Sequence, residues 1–546
     1  MYSCPEGTGS GNRVLERIVA EEIAGTDGLT RREALRAGAG AAGGIALAGG
    51  LFGRAMDAMA APAVVGVGPY GPLQGPDANG VRLPAGFTSR AIARTDVVVG
   101  SSGKAFHVLP DGMGTFKTGD GGFILTSNSE APYVNGVWET GTAAIRFDRN
   151  FNVTDYYDIL KGTHRNCAGG VTPWGTWLSC EEIESGKVWE CDPAGKTAAV
   201  ARPALGVFKH EAASVDPVGK RVYLTEDLGA GCLYRFTPDS YPDLSAGMLE
   251  VAVVEDDASV SWVNVPDPQN LLGTPTRQQV PEATTFRRGE GMWYDDGTIY
   301  FATTQDDRVY AYHCALEEIE VLYDGVALGD DAPLHDTDNV TVSPISGDLY
   351  VCEDADDLQV CLISAEGEAA AFAQLPGEEH VNSEVTGPVF DPTGNRFYFA
   401  SQRDTRGGVI FEISGPFRRT RAEQRPKDKK KPSVKVRTLG KPSLRRLLKS
   451  GQPFRLVISD DSAPVDLEIR LVTKIRRKAG KGARQVTIGR LDTKSRRSGP
   501  RKVVLRVDRR YRQRLRKRDV AQAKLIVVAT DKAGNRRKVS KAVRFS

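Results

Sequence analysis

The chain has few of the residues and motifs on which several large hydrolase classes depend. It contains six histidines in 546 residues, and none of them forms the HExxH pattern of zinc peptidases. It also lacks the G-x-S-x-G turn of serine hydrolases and the glycine-rich phosphate loop of P-loop NTPases. The uncharged apolar run at 37–52 is too short and too rich in glycine for a membrane span. These absences argue against a zinc hydrolase, a serine hydrolase, a nucleotide-driven enzyme and a helical membrane protein.

The first 61 residues have the pattern of an export signal. The segment 30–36 reads TRREALR and contains the twin-arginine pair Arg31 and Arg32. The apolar run follows directly, and the small residues at 58–61 form a cleavage site. We therefore predict export by the twin-arginine route, to an extracellular, periplasmic or cell-wall location. The alternative is an amphipathic cap helix that stays attached to the mature protein.

A six-fold repeat follows the predicted signal. Each repeat has a turn glycine, an apolar or aromatic strand, and polar residues where the strand ends; the repeats are 122–130, 175–182, 219–227, 297–305, 347–354 and 394–402. Their spacing is roughly 45 to 55 residues, with one wider gap, and strand repeats of about this period are typical of propeller blades. The pattern predicts an all-β fold with a six-bladed β-propeller at 62–417.

Four of the six repeats end in acidic residues. Closing the ring would bring these carboxylates toward one end of a central channel, where they repel one another unless protons or cations offset them. Hard cations such as calcium prefer oxygen ligands of this kind. The repeat therefore predicts a metal centre. The alternative, for any single position, is an acidic residue that merely solvates a turn.

The cysteines suggest a second kind of ligand. Removal of the signal takes away Cys4 and leaves seven, an odd number for a protein bound for an oxidising compartment. Cys167 lies in a glycine-rich turn, Asn166 to Gly170, where the backbone can approach an ion closely. A thiolate there would favour iron or zinc over calcium. A buried free cysteine or half of a disulfide is the alternative interpretation.

Charge divides the chain into two parts of opposite sign. The segment from Arg418 onward holds 43 of the 72 Lys and Arg but 10 of the 69 Asp and Glu. That segment thus carries about +33 and the remainder about −30, which a whole-chain net charge of +3 conceals. A basic, proline-containing linker at 418–435 separates the parts.

The basic part, 436–546, contains short strands with period-two alternation, for example 465–471 and 525–530. This pattern predicts a small immunoglobulin-like β-sandwich. Its charge makes an anionic cell-wall polymer or membrane surface a candidate partner. Docking on the acidic part of the same chain is the alternative. No motif for specific nucleic-acid recognition accompanies the charge, and we expect a monomer.

One long motif resembles a known family. The segment 166–182, NCAGGVTPWGTWLSCEE, resembles the central motif of the secreted PhoX-type alkaline phosphatases. Shorter resemblances support it at 210–212, 221–227, 288–291, 338–344 and 387–390. The similarity runs from about residue 80 to 415 and excludes the basic part. Two positions depart from the family pattern: Ser129 stands where histidine is common, and Gly289 where proline is common.

The resemblance implies an exported six-bladed propeller that holds Fe3+ together with several Ca2+ ions and hydrolyses small-molecule phosphate esters. It implies Cys167 as the iron-ligating thiolate and Arg288 as the catalytic, phosphate-binding arginine. The acidic ligand positions that it implies are Glu130, Glu181, Glu182, Glu211, Glu290 and Asp338.

Three other functions fit the same sequence. A related calcium-dependent propeller hydrolase of phytate, phosphotriesters or lactones would use a similar channel without needing Cys167. A non-catalytic propeller could instead carry structural metals at the cell surface. A purely structural exported protein is the third, although the clustering of acidic groups argues against it.

Overall fold

Short runs of β-branched and aromatic residues, ended by glycine-containing turns, make strands the dominant element of this chain. The computed structural model describes residues 62–132, 140–255, 258–355, 357–419, 432–459, 465–476, 483–495, 499–516, 521–530 and 536–545. The prediction of an all-β fold is confirmed in part, since the described chain is nearly all β. The predicted export signal at 1–61 and most of the predicted linker lie outside the described residues.

The chain divides into two compact units, Met1–Arg421 and Ala422–Ser546. Within the described ranges, no helix is long and apolar enough to cross a membrane.

The first unit starts with two strands that join sheets formed much later in the chain, β1 (Val64–Val65) and β2 (Thr88–Arg94). Three antiparallel sheets then follow in sequence order. Sheet 1 contains β3 (Pro110–Lys117), β4 (Phe123–Ser129), β5 (Gly141–Phe147) and β6 (Val153–Lys161). Sheet 2 contains β7 (Asn166–Val171), β8 (Trp177–Glu181), β9 (Val188–Cys191) and β10 (Val200–Ala201). Sheet 3 contains β11 (His210–Asp216), β12 (Arg221–Glu226), β13 (Leu233–Ser240), β14 (Asp243–Val254) and β15 (Val260–Asn264).

Three more sheets repeat this arrangement, in which each strand pairs with the next one along the chain. Sheet 4 contains β16 (Gly289–Asp295), β17 (Thr298–Thr303), β18 (Arg308–His313) and β19 (Glu318–Asp324). A short helix, α1 (Gly325–Leu328), follows it. Sheet 5 contains β20 (Thr337–Val342), β21 (Leu349–Glu353), β22 (Gln359–Ile363) and β23 (Glu368–Gln374), with β1 added in parallel to β23. Sheet 6 contains β24 (Val385–Phe390), β25 (Arg396–Ser401) and β26 (Val409–Ser414).

The early strand β2 completes sheet 6 by pairing antiparallel with β26, so residues more than 300 positions apart share one sheet. The first strands of the six sheets contact one another in cyclic order, β3 to β7, β11, β16, β20, β24 and back to β3. Six buried apolar clusters lie between neighbouring sheets in the same order. The hydrophobic core is thus distributed around the cycle, and apolar burial holds each sheet to its two neighbours.

The first strand of every sheet contains a β-bulge, because its pairing register shifts against the second strand. The residues inside these bulges are small where backbones meet. A Cβ added at Gly112 would lie 2.6 Å from the Cα of Ala168, and one added at Gly291 would lie 2.5 Å from the Cα of Asn339. The main chains of neighbouring first strands therefore lie in close contact at these glycines, around a cavity of about 20 Å³.

The second unit is built from two sheets. One contains β27 (Ser433–Thr438), β28 (Gln452–Ser459) and β31 (Gly499–Leu505), and the other contains β29 (Val465–Arg476), β30 (Ala483–Ser495), β32 (Ala521–Thr530) and β33 (Arg536–Phe545). Two helices accompany them, α2 (Leu444–Lys449) and α3 (Arg509–Arg516). Side chains from both sheets, among them Phe454, Leu467 and Leu525, form one buried apolar cluster. Because alternate residues enter this cluster, the charged residues between them face outward.

We expect Gly170→Ala to destabilise the first unit. A Cβ at this position in β7 would collide with the carbonyl oxygen of Ala213 in β11, and backbone cannot move aside as a flexible side chain can. The expected cost is about 1–3 kcal/mol of unfolding free energy, measured by urea denaturation. Gly119→Ala is the matched control, because a Cβ there meets nothing within 4 Å. Equal midpoints for the two variants would contradict the close approach of these strands.

Candidate metal centre

The bulges of five sheets each carry a potential metal ligand. In sheets 1 to 5, the first residue inside the register shift is acidic or a cysteine, namely Asp111, Cys167, Glu211, Glu290 and Asp338. A bulge sets two residues against one on the partner strand and re-aims their side chains. In sheet 6 the shift spans Gly387 and Pro388, which have no side-chain ligand atom. The bulge thus explains why the candidate ligands lie in the first strands and not at the ends of the repeats.

A second set of polar residues lies directly after the second strand of each sheet. Its members are Glu130, Glu182, Asp227, Thr304, Asp354 and Gln402. All six are buried. In sheets 1 to 5, residues from two successive strands are therefore available to the same central region, whereas sheet 6 supplies Gln402 alone.

Ligand atoms from these two sets form three groups, in each of which all atoms lie within 4.8 Å of one another. The groups are Asp111 with Glu130 and Cys167, Cys167 with Glu182 and Glu211, and Glu211 with Glu290 and Asp338. Cys167 and Glu211 each belong to two groups, so the three groups form one continuous chain across sheets 1 to 5. Such spacing suits several cations that share bridging ligands.

Burial and mutual repulsion favour the protonated forms of these groups in the absence of cations. Burial, together with nearby carboxylates, raises the pKa values of Asp111 and Glu290 to about 8. The same two causes, burial first, raise the pKa values of Glu211 and Asp338 well above their ordinary range. Burial likewise raises the pKa of the Cys167 thiol. Cations that bind here must therefore displace protons.

Some buried oxygens of the centre have no hydrogen-bond partner among the described residues. They are both carboxylate oxygens of Glu211 and Oδ1 of Asp111. A buried carboxylate without partners costs several kcal/mol unless something else binds it, and Glu211 lies where two ligand groups meet. The donor set of one thiol and several carboxylates therefore fits bound cations.

Neighbouring polar groups orient the remaining ligands. Gln402 Nε2 donates to Asp111 Oδ2 at 2.6 Å and to Glu130 Oε2 at 2.8 Å, which ties sheet 6 to sheet 1. Thr304 Oγ1 donates to Glu290 Oε1 at 2.6 Å, and Asn339 Nδ2 donates to Asp338 Oδ1 at 2.7 Å. Each of these bonds occupies one carboxylate oxygen and fixes the direction of the other.

Glu181 has a different role from its neighbour Glu182. Its carboxylate accepts hydrogen bonds from the backbone N–H groups of His164 at 3.1 Å and Lys187 at 3.2 Å, and from Nε1 of Trp189 at 3.0 Å. It does not belong to any of the three ligand groups. Glu181 therefore ties turns of sheet 2 together, whereas the resemblance had implied both residues as ligands.

The same division occurs in two other sheets. Glu226 accepts from the N–H of Cys232 and from the Tyr234 hydroxyl, and Glu353 accepts from the N–H groups of His335 and Gln359. In each acidic pair that ends a second strand, the first member thus stabilises local backbone, and the second faces the centre.

Several cations lie among the carboxylates. Arg288 donates from Nε to Asp227 Oδ1 at 2.7 Å and forms an ion pair with Glu290 at 2.9 Å. Lys209 lies 2.8 Å from Glu182, and Arg403 pairs with Glu384 at 2.9 Å. Arg288 has a left-handed backbone conformation, with φ of 53°. Leu109, Arg165 and Asp336 share this conformation directly before or near the first strands of other sheets, so it belongs to the repeat and is not strain peculiar to Arg288.

The structure brings six of the implied ligands together, namely Glu130, Cys167, Glu182, Glu211, Glu290 and Asp338. Arg288 lies beside them through its ion pair with Glu290. Asp111 and Lys209 were not anticipated from the sequence, and Asp227 and Gln402 appeared there only as the last residues of the third and sixth repeats. Asp111 precedes the first repeat strand as Cys167 precedes the second, and aligning the residues before the repeats would have found it.

All seven cysteines within the described residues are free and buried.

A family model, described as alkaline phosphatase PhoX, matches residues 140–321. That segment contains Cys167, Glu182, Glu211, Arg288 and Glu290, and it excludes Asp111, Glu130 and Asp338. The match supports a PhoX-type family for this chain. It therefore also supports a phosphatase, and the acidic groups of the site could hold metal.

Other comparisons gave weaker results. A structural genomics protein of unknown function from Bacteroides thetaiotaomicron is 12% identical, with a TM-score of 0.39 over 60% of this chain and 76% of that chain. A putative 6-phosphogluconolactonase from Bacteroides uniformis is 13% identical, with a TM-score of 0.32 over 54% of this chain and 82% of that chain. Because both TM-scores are below 0.5, these likenesses define neither fold nor function here. The search of curated proteins found no match.

We expect the stability of metal-depleted protein to fall as pH rises from about 4 to about 8. The unfolded carboxyls titrate near pH 4, whereas Asp111 and Glu290 titrate near pH 8 when folded, so the folded state binds more protons in this window. Urea denaturation at pH 5 and pH 8.5 measures the effect. The difference in unfolding free energy between metal-loaded and metal-depleted protein should increase as pH rises. A stabilisation by metal that is the same at pH 5 and pH 8.5 would contradict the raised pKa values.

We expect Glu181→Gln and Glu182→Gln to have different effects. Glu181→Gln would present an amide donor to backbone N–H groups, which should cost about 1–3 kcal/mol of stability while bound metal is retained. Glu182→Gln should instead lower metal content and cause little destabilisation of the metal-depleted protein. Elemental analysis and denaturation of both variants measure the two quantities. Equal metal loss in both variants would show that Glu181 is also a ligand.

Proposed function

We propose that this protein is an exported, metal-dependent phosphatase that hydrolyses phosphate monoesters at a mixed iron and calcium centre. The observation that carries the proposal is the continuous chain of three buried ligand groups joined through Cys167 and Glu211. The PhoX family match to residues 140–321 supports the phosphatase class. The twin-arginine pattern at 30–36, which lies outside the described residues, supports export.

We also propose that the first unit is a six-bladed propeller and that the second is an immunoglobulin-like sandwich. Six sheets whose first strands contact one another in a cycle, and the early strand that completes the last sheet, support the propeller. Two sheets around one apolar cluster support the sandwich. In this architecture the ligand groups lie at one end of the central channel.

The donors differ along the chain of ligand groups, and the difference suits two kinds of cation. Cys167 offers the soft sulfur ligand, with Glu182 and Glu211 beside it, and these residues would hold iron. Glu211, Glu290 and Asp338 offer oxygen ligands alone, which suits calcium. When bound, the metals would supply Lewis-acid stabilisation of the phosphate oxygens and of the leaving alkoxide, and would lower the pKa of a coordinated nucleophile.

The protein side chains would bind and orient the ester. A phosphate monoester is a dianion, so it cannot approach this acidic centre unless the carboxylates are first neutralised. Arg288 presents a planar guanidinium with five N–H donors, which matches phosphate geometry. Asp227 holds its Nε at 2.7 Å and thereby fixes the plane of the guanidinium. Because its side chain is already held in place, Arg288 loses little conformational entropy when it binds the phosphate.

We expect metal-loaded wild-type protein to release phosphate from p-nitrophenyl phosphate at alkaline pH, and Cys167→Ser to abolish most of this activity together with iron binding. Substitutions that act only on the surroundings of a metal cost roughly 10- to 100-fold, so loss of a ligand should cost at least as much. Cys180→Ser is the control, because Cys180 is buried in an apolar cluster outside the ligand groups.

Two results would contradict the proposal. Wild-type protein that contains neither iron nor calcium after export by its native route would exclude the mixed centre. Cys167→Ser that keeps full activity would favour a calcium-dependent hydrolase that does not need the thiolate.

A further inference from the structure

We propose that Lys209 is a second substrate-binding cation beside Arg288, and that Asp227 is the positioning residue that aims both. These three residues are called the cationic cradle below. The inference rests on the proposed function, because the anion that the cradle would take is the phosphate group of the ester. It adds two residues that neither the sequence nor the resemblance had singled out for substrate.

Asp227 lies between the two cations. Its Oδ1 accepts from Arg288 Nε at 2.7 Å, and its Oδ2 accepts from Lys209 Nζ at 3.0 Å and from Arg288 Nη2 at 3.3 Å. The Asp227 side chain is 4% exposed, whereas those of Lys209 and Arg288 are 26% and 15% exposed. The carboxylate is thus covered by the two cations, which remain accessible.

Backbone hydrogen bonds hold the cradle in place. The N–H of Asp227 donates to the carbonyl of Lys209 at 3.3 Å, and the N–H of Arg288 donates to the carbonyl of Leu228 at 2.8 Å. Lys209 directly precedes β11, Asp227 directly follows β12, and Arg288 directly precedes β16. Because three strand ends of two sheets supply the residues, their relative positions are fixed by the sheets.

Each cation also contacts one member of the candidate metal centre. Lys209 Nζ lies 2.8 Å from Glu182 Oε1, and Arg288 Nη2 lies 2.9 Å from Glu290 Oε1. A phosphate oxygen bound near Glu182 would therefore be within reach of the Lys209 ammonium, and one bound near Glu290 within reach of the Arg288 guanidinium.

The charges of the cradle favour an anion. Two cations and one carboxylate leave one net positive charge, beside carboxylates that bound metals would neutralise. Lysine has three N–H donors and arginine has five, so both retain donors beyond those that Asp227 uses. Asp227 itself lies outside the three ligand groups. Its oxygens are already bound by the cations, which is why we assign it a positioning role and not a role as metal ligand.

The test uses the metal-loaded, full-length protein and the variants Lys209→Met, Lys209→Arg and Asp227→Asn. Three quantities are measured: the Kd of inorganic phosphate by calorimetry, and KM and kcat for p-nitrophenyl phosphate. Lys209→Met should raise both Kd and KM by about tenfold or more, since it removes a charge-assisted hydrogen bond, with a smaller change in kcat. Lys209→Arg should restore most of the phosphate affinity. Asp227→Asn should raise Kd and KM with metal content preserved.

Two control variants separate this role from a structural one. Glu226→Gln removes the buried carboxylate one residue earlier, which pairs with Arg277 at 2.8 Å, and should lower thermal stability without changing the Kd of phosphate. Lys196→Met removes an exposed lysine from a turn of sheet 2 and should change neither.

Two outcomes would overturn the inference, and a third would separate it from the proposed function. An unchanged Kd and KM in Lys209→Met would show that Lys209 only balances charge. Metal loss in Asp227→Asn as large as in Glu182→Gln would show that Asp227 is a ligand. If wild-type protein binds phosphate through Lys209 but hydrolyses no ester, the cradle stands and the proposed function fails.

Discussion

Charge crowding at the centre of the first unit is the constraint on which the rest of the structure depends. Five sheets direct a carboxylate or thiol to one buried region, and burial alone disfavours ionisation of each of them. Neighbouring cations offset part of this cost. Cations such as Lys209, Arg288 and Arg403 pair with carboxylates on the side of the cluster that solvent reaches. The small residues in the bulges let the first strands approach closely enough for ligands of neighbouring sheets to share one position.

The six sheets supply different ligand types, so the two ends of the chain of ligand groups differ chemically. At the bulge positions, sheet 2 carries the thiol of Cys167, sheets 1, 3, 4 and 5 carry carboxylates, and sheet 6 has glycine and proline. After its second strand, sheet 6 supplies Gln402, a neutral group that bonds two carboxylates without adding charge. A perfectly repeated acid at all six positions would have given a uniform ring without a separate place for a soft cation. Departure from the repeat is therefore what distinguishes one part of the centre from another.

The coarse fold and most residues of the candidate site could be predicted from the sequence. Period-two strands and recurring turn glycines are local signals, and they were enough to predict an all-β chain. The acidic pairs at the strand ends were visible, but their two members could not be told apart. Which of Glu181 and Glu182 meets backbone N–H groups depends on the turn geometry of sheet 2, and spacing does not encode it. Asp111 was missed because a bulge, and not a strand end, aims it. Asp227 ends the third repeat, but its binding by two cations from different strand ends appears only in three dimensions.

The pairing of β2 with β26 makes the last closure of the cycle a seam, where two stretches distant in the chain meet without a covalent link. Gln402 joins the same two parts of the chain, since it reaches from sheet 6 to Asp111 and Glu130 of sheet 1, which follows β2 in the sequence. Ligands on one side of the seam are thus held in place by a group on the other side. Cation binding and closure of the seam are then expected to be linked, because cations that bind the closed form with its oriented ligands lower the population of open molecules. Bound cations would therefore stabilise the closed fold of the first unit.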